Sequence, residues 1–269
     1  MKFLGENFML GKLLKKDLNR NMRWLWILFV ATIAVSIITR ICKELGQNIV
    51  LFKVLGIIFD SVFYALIVNV ILQPFLRNFL NFTKSLYGDE SYLTHTLPVT
   101  KNQIINAKFF TAVIEISLGF IVLVASLLIM FYTPTFFDSL ALILSFVIVG
   151  QFSIGWVVSL FVVLVLVEFL MFIAIIFYSI VLAYRSKENR VLKTFLITTA
   201  FAFASISVLF IAMVIVLAAN GVQLTSASLI LTSSALMGVL WTGIVVYFVV
   251  TVAFYVLTLK AFRKGVNVD

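Results

Sequence analysis

Six long apolar runs divide the 269-residue sequence, and lysine and arginine are distributed very unevenly among the segments between them. The runs cover residues 24–41, 54–76, 109–131, 155–184, 195–219 and 235–259. Each is close to the ~20 residues that an α-helix needs to cross the hydrocarbon core of a bilayer. The sequence therefore predicts an all-α, polytopic integral membrane protein, with six transmembrane helices in a single domain over residues 1–269.

The basic residues predict the orientation of these spans. Lysine and arginine number 6 before the first run and 3 around the first loop (Arg40, Lys43 and Lys53), then 4, 0, 4 and 0 between the later runs, and 3 after the last. Cytoplasmic loops of membrane proteins carry the excess of basic residues. Placing both termini in the cytoplasm puts 17 of the 20 basic residues inside, so we expect this orientation in a multi-pass protein of the cell membrane.

Composition excludes a soluble globular protein. Hydrophobic residues make up 63% of the chain and charged residues 12%, whereas soluble domains carry roughly a quarter charged residues. The formal charge of +9 does not point to nucleic acid, because the basic residues flank the spans and can contact anionic lipid headgroups. The single cysteine, Cys42, cannot form a disulfide within the chain.

Residues 1–23 have the pattern of an amphipathic helix lying at the membrane interface. The apolar face carries Leu10, Leu13, Leu14, Leu18 and Met22, and the other face carries Lys12, Lys15, Lys16, Asn19, Arg20 and Arg23. The alternative is an unstructured basic tail. A second short segment, residues 139–154, has an apolar stretch of only ten residues, 140–149, which includes Ser145, and is expected to form a re-entrant or interfacial helix before the fourth span rather than a seventh crossing.

The segment 84–108, between the second and third spans, is predicted to be a cytoplasmic loop with two helix starts. Asp89, Glu90 and Ser91 can cap a short helix over about 91–96, which Pro98 ends by disfavouring the α conformation of the residue before it. Thr100 and Gln103 have capping-box spacing, and the helix that they start continues into the third span.

No nucleotide-binding domain fits between the spans. The largest cytoplasmic segment, residues 77–108, has 32 residues, and Gly11-Lys12 lacks the other residues of a phosphate-binding loop. If this protein uses ATP, a separate subunit must hydrolyse it.

Residues 87–108 carry the acidic pair Asp89-Glu90, the run from Leu93 through Leu97-Pro98 to Lys101, and Ile104 spaced before Ala107-Lys108. This segment resembles the coupling region of the type-2 ABC exporter permeases of Gram-positive bacteria, and elsewhere the similarity is only topological. The resemblance implies a bacterial plasma-membrane permease that works as a homodimer or heterodimer with a related permease. It also implies a partner ABC ATPase subunit that binds ATP and Mg and receives this loop in a cleft. The positions that match this contact are Asp89, Glu90, Tyr92, Leu93, Leu97 and Pro98. The alternative is an ordinary connecting loop.

Three carboxylates, Asp60, Glu115 and Glu168, fall inside apolar runs, where each costs about 3 kcal/mol unless it is paired or hydrated. We expect Asp60 to pair with Arg40 and Glu115 to meet a basic residue near the cytoplasmic end of its span. Glu168 has no base at its depth, so it is expected to line a substrate path, accept a proton or bond to hydroxyl groups.

Asn69, Gln73 and Pro74 lie together in the second span, where the proline is expected to kink the helix. A kink at this place would suit a hinge just before the cytoplasmic loop, and it would equally suit a static bend. Asn69 joins the three carboxylates as a candidate polar residue of a substrate pathway.

These features favour the membrane subunit of an ATP-driven exporter of hydrophobic or amphipathic cargo. The alternative is a proton-coupled secondary transporter that uses the intramembrane carboxylates. An intramembrane enzyme is disfavoured, because the only histidine, His95, lies in the predicted cytoplasmic loop and no metal-binding constellation is present in the sequence.

Overall fold

A computed structural model describes residues 2–88, 90–92, 99–133, 135–145, 148–149, 153–186, 189–222 and 231–263. The chain forms two compact units, which meet in sequence between Tyr132 and Thr133. Each unit contains three long helices.

The first unit is a bundle of α1 (Lys2–Leu45), α2 (Val50–Tyr87) and α3 (Lys101–Phe131). Each of the three helices packs against the other two. The second unit contains α4 (Phe136–Ser145), β1 (Ile148–Val149), α5 (Ile154–Ala183), α6 (Arg190–Ala219), β2 (Leu231–Thr232) and α7 (Ser233–Arg263). Here α5, α6 and α7 pack against one another, and β1 pairs with β2 in parallel.

Six of these helices are long and apolar enough to cross a membrane, and they correspond one to one with the predicted spans. The prediction of a helical, six-span membrane protein is therefore confirmed. The short helix α4 has 10 residues and is not a candidate span. It begins three residues earlier than the predicted segment 139–154 and ends well before α5 begins.

The first helix is longer than expected. The structure confirms that the residues before the first span are helical, so the alternative of an unstructured tail is wrong. However, α1 has no break near residue 23: its 44 residues form one helix, about 66 Å long at 1.5 Å per residue. The predicted interfacial helix is thus continuous with the first span.

The face of α1 that packs against the other helices of the first unit also extends into the residues before the first span. Leu18 packs against a buried cluster that contains Met22, Leu25 and Phe29 of α1 and Val70 of α2. The apolar face of the predicted interfacial helix therefore packs, from Leu18 onward, against protein.

The predicted cytoplasmic loop is shorter than its sequence suggested. The helix α2 continues to Tyr87, eleven residues beyond the apolar run, and α3 begins at Lys101. Thr100 Oγ1 accepts from the Gln103 backbone N–H at 3.4 Å, and Gln103 Oε1 accepts from the Thr100 N–H at 2.9 Å. The capping box is therefore confirmed, and helices rather than loop form most of segment 77–108.

Candidate functional site

A chain of ion pairs joins the segment after α2 to α1 and α3. Glu90 Oε2 accepts from Arg20 Nη1 at 3.0 Å, and Arg20 Nη2 lies 3.5 Å from Asp17 Oδ1. Asp17 Oδ2 in turn lies 2.8 Å from Lys108 Nζ. Asp17 and Lys108 keep only 14% and 10% of their side-chain surface exposed, so this pair is the buried end of the chain of contacts, and Glu90 is its exposed end.

A group of amides lies next to these ion pairs, one turn further along α1. Asn81 of α2 donates to Asn21 Oδ1, and Asn78 Nδ2 donates at 2.8 Å to Glu115 Oε2 of α3. Asn78 also donates to the carbonyl oxygen of Pro74 at 2.8 Å. Polar side chains therefore connect all three helices of the first unit at one end of the bundle.

Glu115 is fully buried in this group. Arg77 and Asn21 lie close enough to interact with its carboxyl group, but Arg77 forms no ion pair with it, and Oε1 has no described hydrogen-bond partner. We expected Glu115 to meet a basic residue; Arg77 acts on it electrostatically, but no described base forms an ion pair with it, and the hydrogen bond comes from Asn78.

Of the six residues implied to contact an ATPase, the structure describes Glu90 and Tyr92. Ser91 and Tyr92 are helical, as predicted, and the Tyr92 side chain is 76% exposed. Asp89, Leu93, Leu97 and Pro98 lie outside the described residues, as does His95. Of these two predicted contact residues, Glu90 is bonded to Arg20 of α1, and Tyr92 is exposed.

The predicted partner of Asp60 is wrong. Asp60 Oδ1 lies 2.9 Å from Lys43 Nζ, at an angle outside hydrogen-bond geometry. Arg40 instead contacts Glu44 at 3.1 Å and donates to the carbonyl oxygen of Ile129 at 2.8 Å. Asp60 is therefore a structural partner of a lysine near the α1–α2 connection.

The remaining polar candidates lie in different surroundings. Asn69 donates to the carbonyl oxygen of Ala65 in its own helix at 2.9 Å. Glu168, in α5 of the second unit, is half-buried and lies near the buried Tyr247 of α7. It forms no ion pair with any described residue.

Sequence reasoning missed Asp17, Asn21, Asn78, Asn81 and Lys108. A signal was present: Asp17 and Asn21 lie four residues apart on the face of α1 that also carries Leu14, Leu18 and Leu25. A polar residue within an apolar stripe indicates a buried polar contact. Within the described residues, no cluster of potential metal ligands occurs.

Searches against protein-family models, curated proteins and solved structures found no match.

In the first unit, ion pairs and hydrogen bonds between side chains connect the three helices. The exposed end of these contacts is Glu90, on the segment after α2.

Proposed function

We propose that this chain is the membrane-spanning permease subunit of an ATP-binding cassette exporter, which moves a hydrophobic or amphipathic substrate with energy from a separate ATPase subunit. The proposal rests first on the resemblance of residues 87–108 to the coupling region of type-2 exporter permeases. ATP and Mg would bind to the partner, and the permease would act as a homodimer or heterodimer with a related permease in a bacterial plasma membrane.

The observation that carries the proposal furthest is the ion pair between Glu90 and Arg20. It joins the loop that would contact the ATPase to α1, and Asp17 continues the contacts from Arg20 to Lys108 of α3. A displacement of the loop would then be transmitted to α1 and α3 through these ion pairs. A loop without such contacts could move without moving the helices.

The exposure of Tyr92 agrees with a docking role. Tyr92 is largely exposed, and aromatic side chains that fit partner pockets are typical anchors of protein interfaces. The resemblance assigns Asp89, Leu93, Leu97 and Pro98 to the same contact with the ATPase.

A charge-swap experiment tests this role. Arg20→Glu and Glu90→Arg each place like charges in contact, whereas the double variant restores opposite charges between positions 20 and 90 but not between position 20 and Asp17. We expect each single variant to reduce transport-coupled ATP hydrolysis in proteoliposomes that contain the permease with its ATPase, and the double variant to recover part of it relative to Arg20→Glu.

The matched control is Glu44, which is also exposed and pairs with Arg40 of the same helix. Glu44→Arg should leave coupling unchanged. If Arg20→Glu and Glu90→Arg behave like this control, the loop is an ordinary connector and the proposed route from ATPase to helices is wrong.

A further inference from the structure

A crevice of about 290 Å³ opens between α1 and α2 in the first unit. Trp24, Ile27, Leu28 and Ala31 form its α1 wall. Trp24 and Ile27 are 62% and 63% exposed, so this wall is apolar and open at the surface. Such a wall suits a hydrocarbon chain.

The α2 wall is polar. It is formed by Asn69, Gln73 and Arg77, which follow one another at spacings of four residues and so share one face of the helix. Residues 24–31 begin the first predicted span and residues 69–77 end the second. The two walls therefore lie at the same end of an antiparallel helix pair, which is the cytoplasmic end in the orientation that the basic residues predict.

Arg77 is the unusual residue of this crevice. Its Nε is buried without a hydrogen-bond partner, and Arg77 forms no ion pair or hydrogen bond with any described residue. Glu115 acts on it only at longer range. A cation within a membrane protein is costly unless an anion or water compensates it, and the crevice holds a positive group that forms no ion pair with any described residue.

We infer that this crevice binds an anionic phospholipid, with the headgroup phosphate on Arg77 and one acyl chain along the α1 wall. A guanidinium recognises phosphate through two parallel hydrogen bonds. The amides of Asn69 and Gln73 can meet the ester region between phosphate and chain, and Trp24 lies at the rim, where tryptophan is enriched at membrane interfaces. The site is independent of the proposed transport function.

The test uses the purified full chain in a neutral detergent, titrated with phosphatidylglycerol or phosphatidylcholine and followed by native mass spectrometry. The wild-type protein should bind phosphatidylglycerol more tightly. Arg77→Gln should weaken this binding about tenfold, the factor that corresponds to about 1.4 kcal/mol. The matched control is Lys84→Gln, which removes an exposed cation seven residues further along the same helix and should change the affinity less than twofold, since Lys84 does not line the crevice.

A second variant tests the chain-binding wall without changing charge. Ala31→Leu should fill the crevice and weaken phosphatidylglycerol binding, while circular dichroism and gel filtration verify the fold. Inorganic phosphate alone should not displace the lipid, because it lacks the acyl chain.

Three results would overturn the inference. The first is equal affinity for phosphatidylcholine, and the second is an equal effect of the Arg77 and Lys84 variants. The third is displacement of the lipid by millimolar phosphate, which would identify a simple anion site instead of a lipid site.

Discussion

The Lys108 ammonium group lies 2.8 Å from the Asp17 carboxylate, and this contact fixes α3 against α1 where both side chains are nearly buried. Removing one member of a buried pair leaves a charge without compensation, and this loss typically costs about 3–5 kcal/mol.

Asp17→Asn is therefore expected to lower the free energy of unfolding by about 3 kcal/mol. Unfolding in mixed micelles titrated with dodecyl sulfate measures this change. The control is Glu44→Gln, which breaks an ion pair whose side chains are 37% and 65% exposed and should cost less than about 1 kcal/mol. Equal losses in the two variants would mean that the Asp17–Lys108 pair is effectively hydrated.

Asn78→Ala is expected to destabilise the first unit by about 1–3 kcal/mol, because it removes the donor to a buried Glu115 oxygen. Asn69→Ala is the matched control, since its amide bonds only within its own helix. The same dodecyl sulfate titration compares the two. A small effect at Asn78 would show that another donor replaces it.

The turn between α1 and α2 should not tolerate a side chain at Gly46. An added Cβ would lie 2.8 Å from the Cys42 carbonyl oxygen and 3.0 Å from the Lys53 backbone, and neither backbone atom can move without shifting a helix. Gly46→Ala should therefore destabilise the protein. Gly11→Ala should instead stabilise α1 by up to about 1 kcal/mol, as nothing lies within 4 Å of its added Cβ. A neutral Gly46→Ala variant would argue against this tight turn.

The start of α3 depends on the Thr100 cap. Thr100→Ala removes the acceptor for the Gln103 N–H, and loss of such a cap costs about 1 kcal/mol. Hydrogen exchange of the first turn of α3 should become faster while the exchange of α2 stays the same. Unchanged exchange would show that tertiary packing alone holds this end.

The sequence was most informative where the signal is local. The six spans follow from hydropathy over some twenty residues, and the capping box follows from the Thr100–Gln103 spacing. Both could be predicted because neither depends on how neighbouring helices pack. The pairing of Asp60 could not, because Arg40 and Lys43 lie less than one helical turn apart. Choosing between them requires the rotation of α1 against α2, which only packing determines.

The extension of α2 was missed for a related reason. Residues 77–87 are too polar to register as a span, yet they remain helical because they pack on α1 and α3: Phe82 and Leu86 are fully buried. The buried contact of Asn78 with Glu115 involves this extension, whereas that of Asp17 with Lys108 joins α1 to α3, so the cluster could be found only once the three helices were placed together.

The most direct test of the central claim is to purify the tagged full chain from the membranes of its own cells and measure ATP hydrolysis by the isolated complex. We predict that an ABC ATPase subunit co-purifies with it and hydrolyses ATP, and that replacing Asp89 and Glu90 together by Ala, or Pro98 by Ala, reduces this association or uncouples hydrolysis from transport. Membrane insertion should be unchanged in these variants. If the wild-type chain carries no ATPase subunit, or if both variants retain normal association and transport, the chain is not an exporter permease coupled through this loop.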